Sequence, residues 1–585
     1  MPKILTRNEA TRLYEAFNHP KAEHDSFLKN AMDEAFVNTN VYTNAQRIGK
    51  CIITGRKGSG KTALIMGQYY NNRKEYLCFN TVDADDLPFQ TLYNFFINDF
   101  IEMSDKLKEN FVSSDFDQFL DPVKVSNFAW KNAILTIALY SSAKQILENK
   151  EIYDISKDEK STLSKSINVI ENIIGSNKVE ESDFGGYFWG LVVHYFFKIQ
   201  NEIDSIINAD NEKLSELLTK ITNATHSLLK SKLGGDKNLS DGMQVLSSIM
   251  KRERKACLLG LDRFDDYYDH FYLQFKRDDI MLNKGAFLKM ILEGLILAAR
   301  DIKNNTDYSC LHLLITIPTD KFLQLGLRER ADIETSHVIP LQWEPPELFS
   351  YVSKRIGYAL QLPAHEWDNA WYDIFPRMVT NAGNLTTKED SFLYLVRHSH
   401  WRPRDILFYI REILSRMIAN GDALQASEAT EEVFQEVAHE ISQEIIVHEF
   451  IPEFDKEYPG IRKSLNDLED KEDFETVMPY NSFCDSLGGI EPRNDTRTPD
   501  EVSRCLFQMG IIGVRKKLPA KNTVNKKKIK QDGIYVEYKY CYTTKTDDPF
   551  SSNVEVVFHP LFIDKLRIHH GQQYVIHQLT WDMFK

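Results

Sequence analysis

Gly55-Arg56-Lys57-Gly58-Ser59-Gly60-Lys61-Thr62 is the segment of this chain whose residue types and spacing point most directly to chemistry. It satisfies GxxxxGK[ST] at every constrained position. Glycines there let the backbone curl so that its N–H groups converge on phosphate oxygens, and a helix running on from Ala63 adds the positive end of its dipole. Lys61 would set a point charge against the β- and γ-phosphates of a nucleotide, and the Thr62 hydroxyl would coordinate Mg2+. Such a cradle needs a carboxylate for the metal. Asp262, closing the apolar run Ala256-Cys257-Leu258-Leu259-Gly260-Leu261, is placed to hold Mg2+ through water. Asp265 and Asp266 follow within a turn. Either one of them orients an attacking water, or both merely cap the segment DDYYDHF.

These side chains need strands to carry them. The run CIIT (51–54) reads as a strand ahead of the glycine-rich loop, and TALIMGQYY as the helix after it. EYLCFN (75–80), KACLLGLD (255–262) and CLHLLITI (310–317) read as further strands, the last two separated by the helical pattern GAFLKMILEGLILAARDI (285–302). That alternation predicts an α/β fold with a parallel sheet. Residues 7–36 read as helical, with a break near His19-Pro20. Residues 90–250 are helical in pattern, with polar connections near 154–182, and form a large insertion. From Pro345 to about 445 the pattern is helical only. The tail carries the helical DEVSRCLFQMG (500–510) and the alternating strands IYVEYKY (534–540) and VEVVFHP (554–560), an arrangement resembling a winged helix. The domains expected are 1–340, 341–445 and 446–585.

Composition bounds the function. At 585 residues the chain is too long for one core, and 42% apolar with 12% aromatic residues excludes a disordered chain. No stretch approaches eighteen uncharged apolar residues, so no membrane span is expected. The N-terminal residues lack the apolar core of a signal peptide. Seven scattered cysteines without a CxxC argue against a zinc site or disulfide scaffold and fit a cytoplasmic protein. Net charge is −14, yet Arg515, Lys516, Lys517, Lys521, Lys526, Lys527, Lys528 and Lys530 occupy one stretch with no acid. That stretch either contacts DNA phosphates or is a solvated loop. No aromatic lies between Val514 and Gln531, which leaves base stacking unsupported.

GRKGSGKTAL, LLGLDRFDD, LLITIPTD, IPLQWEPPELFSYVSKRI and WRPRDILFYI together resemble the AAA+/STAND clade of bacterial P-loop ATPases, many found in defence-related contexts. The resemblance spans about residues 20–420 and recurs weakly at FHPLF. It implies a P-loop NTPase parallel-sheet core, a helical lid and a winged-helix-like α+β C-terminal domain. Gly55, Lys57, Gly58, Ser59, Gly60, Lys61, Thr62 and Ala63 would bind nucleotide, with Thr62 and Asp262 at the metal. Thr316 or Thr319 would be the polar sensor, and Arg404 the second sensor, with Pro403 against the base. Arg328 and Arg330 would lie where a finger for a neighbouring subunit sits, in a homo-oligomer. Two positions depart from the pattern: Arg263 stands where a catalytic glutamate or a glycine is usual, and Pro318 where an arginine is expected. Slow hydrolysis and a switch role follow, with any toxic output left to a partner effector and the insertion offered to a trigger. The alternatives are a nucleotide-regulated DNA-binding protein acting through the winged helix, and a scaffold with a degenerate site.

Overall fold

The computed structural model describes residues 3–18, 42, 45, 50–84, 88–94, 121–149, 152–176, 184–209, 220, 223–224, 227–264, 281–327, 329–381, 384–454, 465–466, 468–469, 474–487, 498–518, 529–531, 534–541, 550, 554–563 and 579–584. The chain divides into two compact units. One, the C-terminal unit, comprises residues 1–39, 57–60 and 342–585; the other, the sheet unit, comprises 40–56 and 61–341.

The C-terminal unit starts with helix α1 (Arg7–Phe17). Its N-terminus is closed by a reciprocal capping box: the Glu9 amide donates to Thr6 Oγ1 at 3.2 Å and the Thr6 amide to Glu9 Oε2 at 2.9 Å.

The sheet unit runs β1 (Ile52–Gly55), α2 (Lys61–Asn71), β2 (Tyr76–Asp83), α3 (Pro122–Glu148), α4 (Lys157–Ser176), α5 (Phe184–Ala209), α6 (Lys237–Glu253), β3 (Ala256–Asp262), α7 (Met281–Lys303), β4 (Leu311–Pro318) and β5 (Val338–Pro340). The five strands are all parallel, in the order β2-β3-β4-β1-β5. β1, β3 and β4 are buried on both faces, which is why they read as unbroken apolar runs. From β1 the chain crosses the sheet in one direction to reach β2; from β3 and β4 it moves in the other. Right-handed crossovers then put those connections on opposite faces and leave a crevice at the carboxyl ends of the strands beside β1. Gly260 in β3 makes room for α2: a Cβ there would meet Ile65 at 2.7 Å. β5 departs from the sequence expectation, because three residues are too few to show a strand's period.

The helical insertion is no appendage. Its long helix α3 is buried along most of its length and shares one apolar core with α7 and the strands. Trp130 Nε1 of α3 donates to the Ile291 carbonyl of α7 at 3.1 Å, a satisfied indole in a dry interface. Where α3 and α7 approach, a Cβ on Gly294 would stand 2.2 Å from Ser126 Oγ and 2.8 Å from the Asn127 amide nitrogen.

In the C-terminal unit, α8 (Pro345–Ala359), α9 (Ser391–Arg397), α10 (Pro403–Ala419) and α11 (Glu431–Glu444) form a helical domain. The purely helical expectation for 345–445 fails at one place. An antiparallel hairpin, β6 (Met378–Asn381) and β7 (Asn384–Asp390), interrupts the helices; it is short and polar enough to lack an apolar signature. Its buried Glu389 takes a two-pronged ion pair from Arg397, with both N···O distances 3.1 Å, fixing β7 to α9. Downstream come β8 (Val477–Pro479), α12 (Tyr480–Leu487), α13 (Pro499–Met509), β9 (Ile512–Leu518), β10 (Ile529–Gln531), β11 (Ile534–Lys539) and β12 (Glu555–Phe558). They build an antiparallel sheet in the order β10-β11-β9-β12-β8, with α12 and α13 falling between β8 and β9. Among the described residues, no helix is long and apolar enough to cross a membrane.

Candidate functional site

From the carboxyl end of β1 the chain turns through 56–60 and enters α2 at Lys61. Gly58 (φ +78°) and Gly60 (φ +92°) occupy the left-handed region that side chains resist. Apart from its chain neighbours, no atom of the described residues lies within 4 Å of the point a Cβ on Gly60 would fill. Ser59 is 4% exposed, and its Oγ has no hydrogen-bond partner among the described residues. A buried hydroxyl left so costs about 1–3 kcal/mol, which an oxyanion in the loop would recover. The curled loop, its open space and the orphaned hydroxyl fit a phosphate group.

In the sheet unit, Lys61 is buried and its Nζ donates to the Gly55 and Arg56 carbonyls at 3.2 and 3.3 Å, so the ammonium is satisfied by backbone at the start of the loop. Thr62 Oγ1 donates to Asp262 Oδ2 at 2.6 Å, and Thr316 Oγ1 donates to Asp262 Oδ1. Both carboxylate oxygens of this buried acid thus face hydroxyls from two other elements. Sheet register explains the meeting. β4 lies between β1 and β3, with Thr316 opposite Ile53 on one side and Ile315 opposite Leu261 on the other. Thr319 instead opens the short helix Thr319–Gln324. A threonine hydroxyl and a carboxylate at 2.6 Å form the pair of oxygen ligands a hard divalent cation takes.

Arg263 follows Asp262 with φ +63°, and its Nη1 reaches Asp83 Oδ2 at 3.2 Å. Asp83 closes β2 in register with Asp262. Sequence reasoning missed Asp83, although it ends its strand run in the same way as Asp262. Asp265, Asp266 and Arg328 lie outside the described residues. Arg330 pairs with Glu334 one helical turn on, at 2.7 Å.

The tip of the loop, residues 57–60, belongs to the C-terminal unit. Arg402 Nη1 donates to the Lys57 carbonyl at 3.2 Å, and Trp343 Nε1 to the Ser59 carbonyl at 2.7 Å. A Cβ built on Gly58 would lie 3.2 Å from Arg404 Cβ and 3.3 Å from its Cδ and Nε, so Arg404 lies across that glycine. Arg402 is itself held by Asp405 at 2.9 Å, both side chains being almost wholly buried. Pro403, first residue of α10, needs no N–H partner there. Trp343 lies within the segment IPLQWEPPELFSYVSKRI, but no role was read for it there, because an uncharged indole gives no sequence sign of a backbone contact.

In the tail, Arg515 and Lys517 of β9 both pair with Glu555 of β12, at 2.8 and 2.7 Å, which neutralises part of the basic stretch. Lys516 is exposed between them, and Lys530 lies in β10. Lys521, Lys526, Lys527 and Lys528 lie outside the described residues.

The fold is α/β with a five-stranded parallel sheet and many helices, followed by a C-terminal helical domain. Residues 346–448 match a family described as the FunZ-associated C-terminal helical domain. That span starts within α8 and runs past α11, so it covers the helical domain together with its β6–β7 hairpin. No curated protein and no solved structure matches the chain.

Proposed function

We propose that this protein is a Mg2+–ATP-binding switch ATPase of the AAA+/STAND kind, with slow hydrolysis. The observation that carries the reading is the Thr62–Asp262 hydrogen bond of 2.6 Å directly after the glycine-rich loop. It joins a hydroxyl and a carboxylate two hundred residues apart. The parallel strand order and its crevice beside β1 support a P-loop core. The loop amides and Lys61 would hold the phosphates, while Thr62 and Asp262 would hold Mg2+, directly or through water. When bound, Mg2+ neutralises phosphate charge and orients the terminal phosphoryl group. Lys61 would exchange its two loop carbonyls for phosphate oxygens. Thr316, at the second oxygen of Asp262, keeps that carboxylate oriented. Slow turnover is inferred from Arg263: it stands where a water-activating glutamate would be, and its guanidinium pairs with Asp83.

Equilibrium binding and turnover of ATP with and without Mg2+ test the proposal. Lys61→Ala should bind ATP at least about tenfold more weakly, the scale of one charged hydrogen bond. Asp262→Asn should still bind nucleotide but lose its Mg2+ dependence and its hydrolysis. Wild-type affinity and turnover in both variants would sink the reading.

A second reading, nucleotide-regulated DNA binding through a winged helix, is favoured by one observation. β8, β12 and β9 with two intervening helices make the core of such a module, and the β10–β11 hairpin extends from it like a wing. Duplex affinity that does not change with salt at low ionic strength would exclude it.

A further inference from the structure

The loop tip is held at its backbone by two side chains of the C-terminal unit. In a phosphate-binding curl the amides turn inward and the carbonyls turn outward. Two of the outward carbonyls, those of Lys57 and Ser59, are taken by Arg402 and Trp343. Behind each donor lies a buried chain of contacts within the C-terminal unit. Arg402 Nε forks onto both oxygens of Asp405, at 3.1 and 3.0 Å. Asp405 Oδ2 also accepts the His400 amide at 3.1 Å. The His400 ring then donates from Nε2 to the Gly510 carbonyl at 3.2 Å; a carbonyl can only accept, so that nitrogen carries the proton. Gly510 (φ +83°) caps α13 immediately before strand β9, and the His400 ring lies 4.9 Å from that of His559, just past β12. Trp343 packs against Tyr351 at 5.8 Å between ring centroids; Tyr351 accepts from Arg355 at 2.5 Å, and Arg355 Nε donates to the Ala16 carbonyl of α1 at 2.6 Å.

The route from Arg402 is made of polar groups that are buried and directional, and the route from Trp343 joins a ring contact with half-buried Tyr351 to the buried Arg355. Arg402, Asp405, His400, Arg355 and His559 are each at most 4% exposed. Such groups tolerate few geometries, because a broken bond leaves a buried polar atom unsatisfied at about 1–3 kcal/mol. A change in the loop's curl that moved the Lys57 or Ser59 carbonyl would therefore have to be followed by Arg402 or Trp343.

Resting on the nucleotide reading, we infer that Arg402 and Trp343 sense the loop through its carbonyls, and that Asp405 and His400 pass its occupancy to the α13–β9 junction of the tail. Arg402 and Trp343 are positioning residues, acting on the loop through its backbone carbonyls. The tail, not the phosphate loop alone, would then be the reporting end of the switch.

The test uses the full chain with Mg2+–ATP, combining affinity measurement with amide hydrogen exchange. Nucleotide should slow exchange at residues 57–62 and also at 509–514. Trp343→Phe keeps the ring and removes one neutral hydrogen bond, so affinity should fall about two- to tenfold. Arg402→Gln should still bind nucleotide and protect 57–62, yet lose the protection at 509–514. Should burial of Asp405 keep Arg402→Gln from folding, His400→Phe supplies the same test further along, cutting the bond to Gly510 without reaching the loop. Nucleotide binding with no change at 509–514 in the wild type overturns the coupling and leaves the nucleotide reading standing. Protection at 509–514 that survives in both Arg402→Gln and His400→Phe overturns it as well. Absence of any Mg2+–ATP binding by the wild type removes both proposals together.

Discussion

Asp262 receives a hydroxyl on each oxygen, and the second donor, Thr316, separates two accounts of a buried threonine in a strand. It could be there for its β-branched shape alone. The hydrogen bond to Asp262 Oδ1 argues that its hydroxyl matters, because a donor to a carboxylate is worth about 1.5–3 kcal/mol. Thr316→Val, which keeps the shape, should lower kcat about tenfold or more with little change in KM. An unchanged kcat would return Thr316 to a packing role. At the opposite end of the same strand, His312 shows a different use of burial. Its Nε2 meets the Ala45 carbonyl at 3.0 Å and therefore carries the proton, so Nδ1 accepts from Tyr76 Oη at 2.6 Å. Burial, with Lys303 nearby, pushes its pKa from 6.5 down to about 3. Between those values the unfolded chain binds a proton that the folded chain refuses. The stability this neutral ring allows is complete above pH 6.5 and is lost as pH falls toward 3, by up to about 1.4 kcal/mol per unit. Urea midpoints measured at pH 7.5 and pH 5 should fall further for wild type than for His312→Gln. Equal falls would show that other groups govern the acid limb.

At the scale of elements, glycines set how closely helices and strands approach. The α3–α7 contact is a close one, and the atoms a new methyl would meet at Gly294 include the backbone nitrogen of Asn127. That backbone cannot rotate away as a side-chain end could. Gly294→Ala gains up to about 1 kcal/mol of helix propensity but incurs about 1–3 kcal/mol of overpacking. The expected result is a lower thermal midpoint with nucleotide affinity unchanged, because the contact lies away from the loop. A higher midpoint would mean the two helices can separate freely. The strands were legible where an apolar run reached at least four residues, as at Ile52–Gly55, Ala256–Asp262 and Leu311–Pro318. β5 and the β6–β7 hairpin were not, being three residues long in one case and largely polar in the other. Their existence depends on a neighbour to pair with.

Across the whole molecule, the insertion of residues 90–250 changes character once its packing is known. Its sequence suggested a surface offered to a trigger. Its best-buried helix forms part of the sheet unit's core, from Val125 to Ile146, against Leu288, Leu292 and Leu295 of α7. Deleting 122–250 should therefore leave an apolar face of the sheet uncovered. The shortened chain is expected to bind hydrophobic dyes and to lack a cooperative thermal transition. A sharp transition and retained nucleotide binding would mark the insertion as a separable domain. In the intact chain, Mg2+–ATP at a hundred times its Kd should stabilise by about 2.7 kcal/mol whichever transition involves the loop.

What the sequence by itself determined is local. The loop's residue types and spacing, the carboxylate at the end of β3, the parallel α/β class and, outside the β6–β7 hairpin, the helical character of 345–445 were all readable, because each is a pattern of adjacent residues that backbone geometry enforces. What only the tertiary structure decided is the company these residues keep. Thr62 and Thr316 meet on Asp262 because β4 pairs between β1 and β3. Asp83 engages Arg263 because β2 runs in register with β3. Trp343 and Arg402 find the carbonyls of Ser59 and Lys57 across roughly three hundred residues of chain. Pairings over such separations are selected by the packing of the whole unit, and no periodicity along the chain records them.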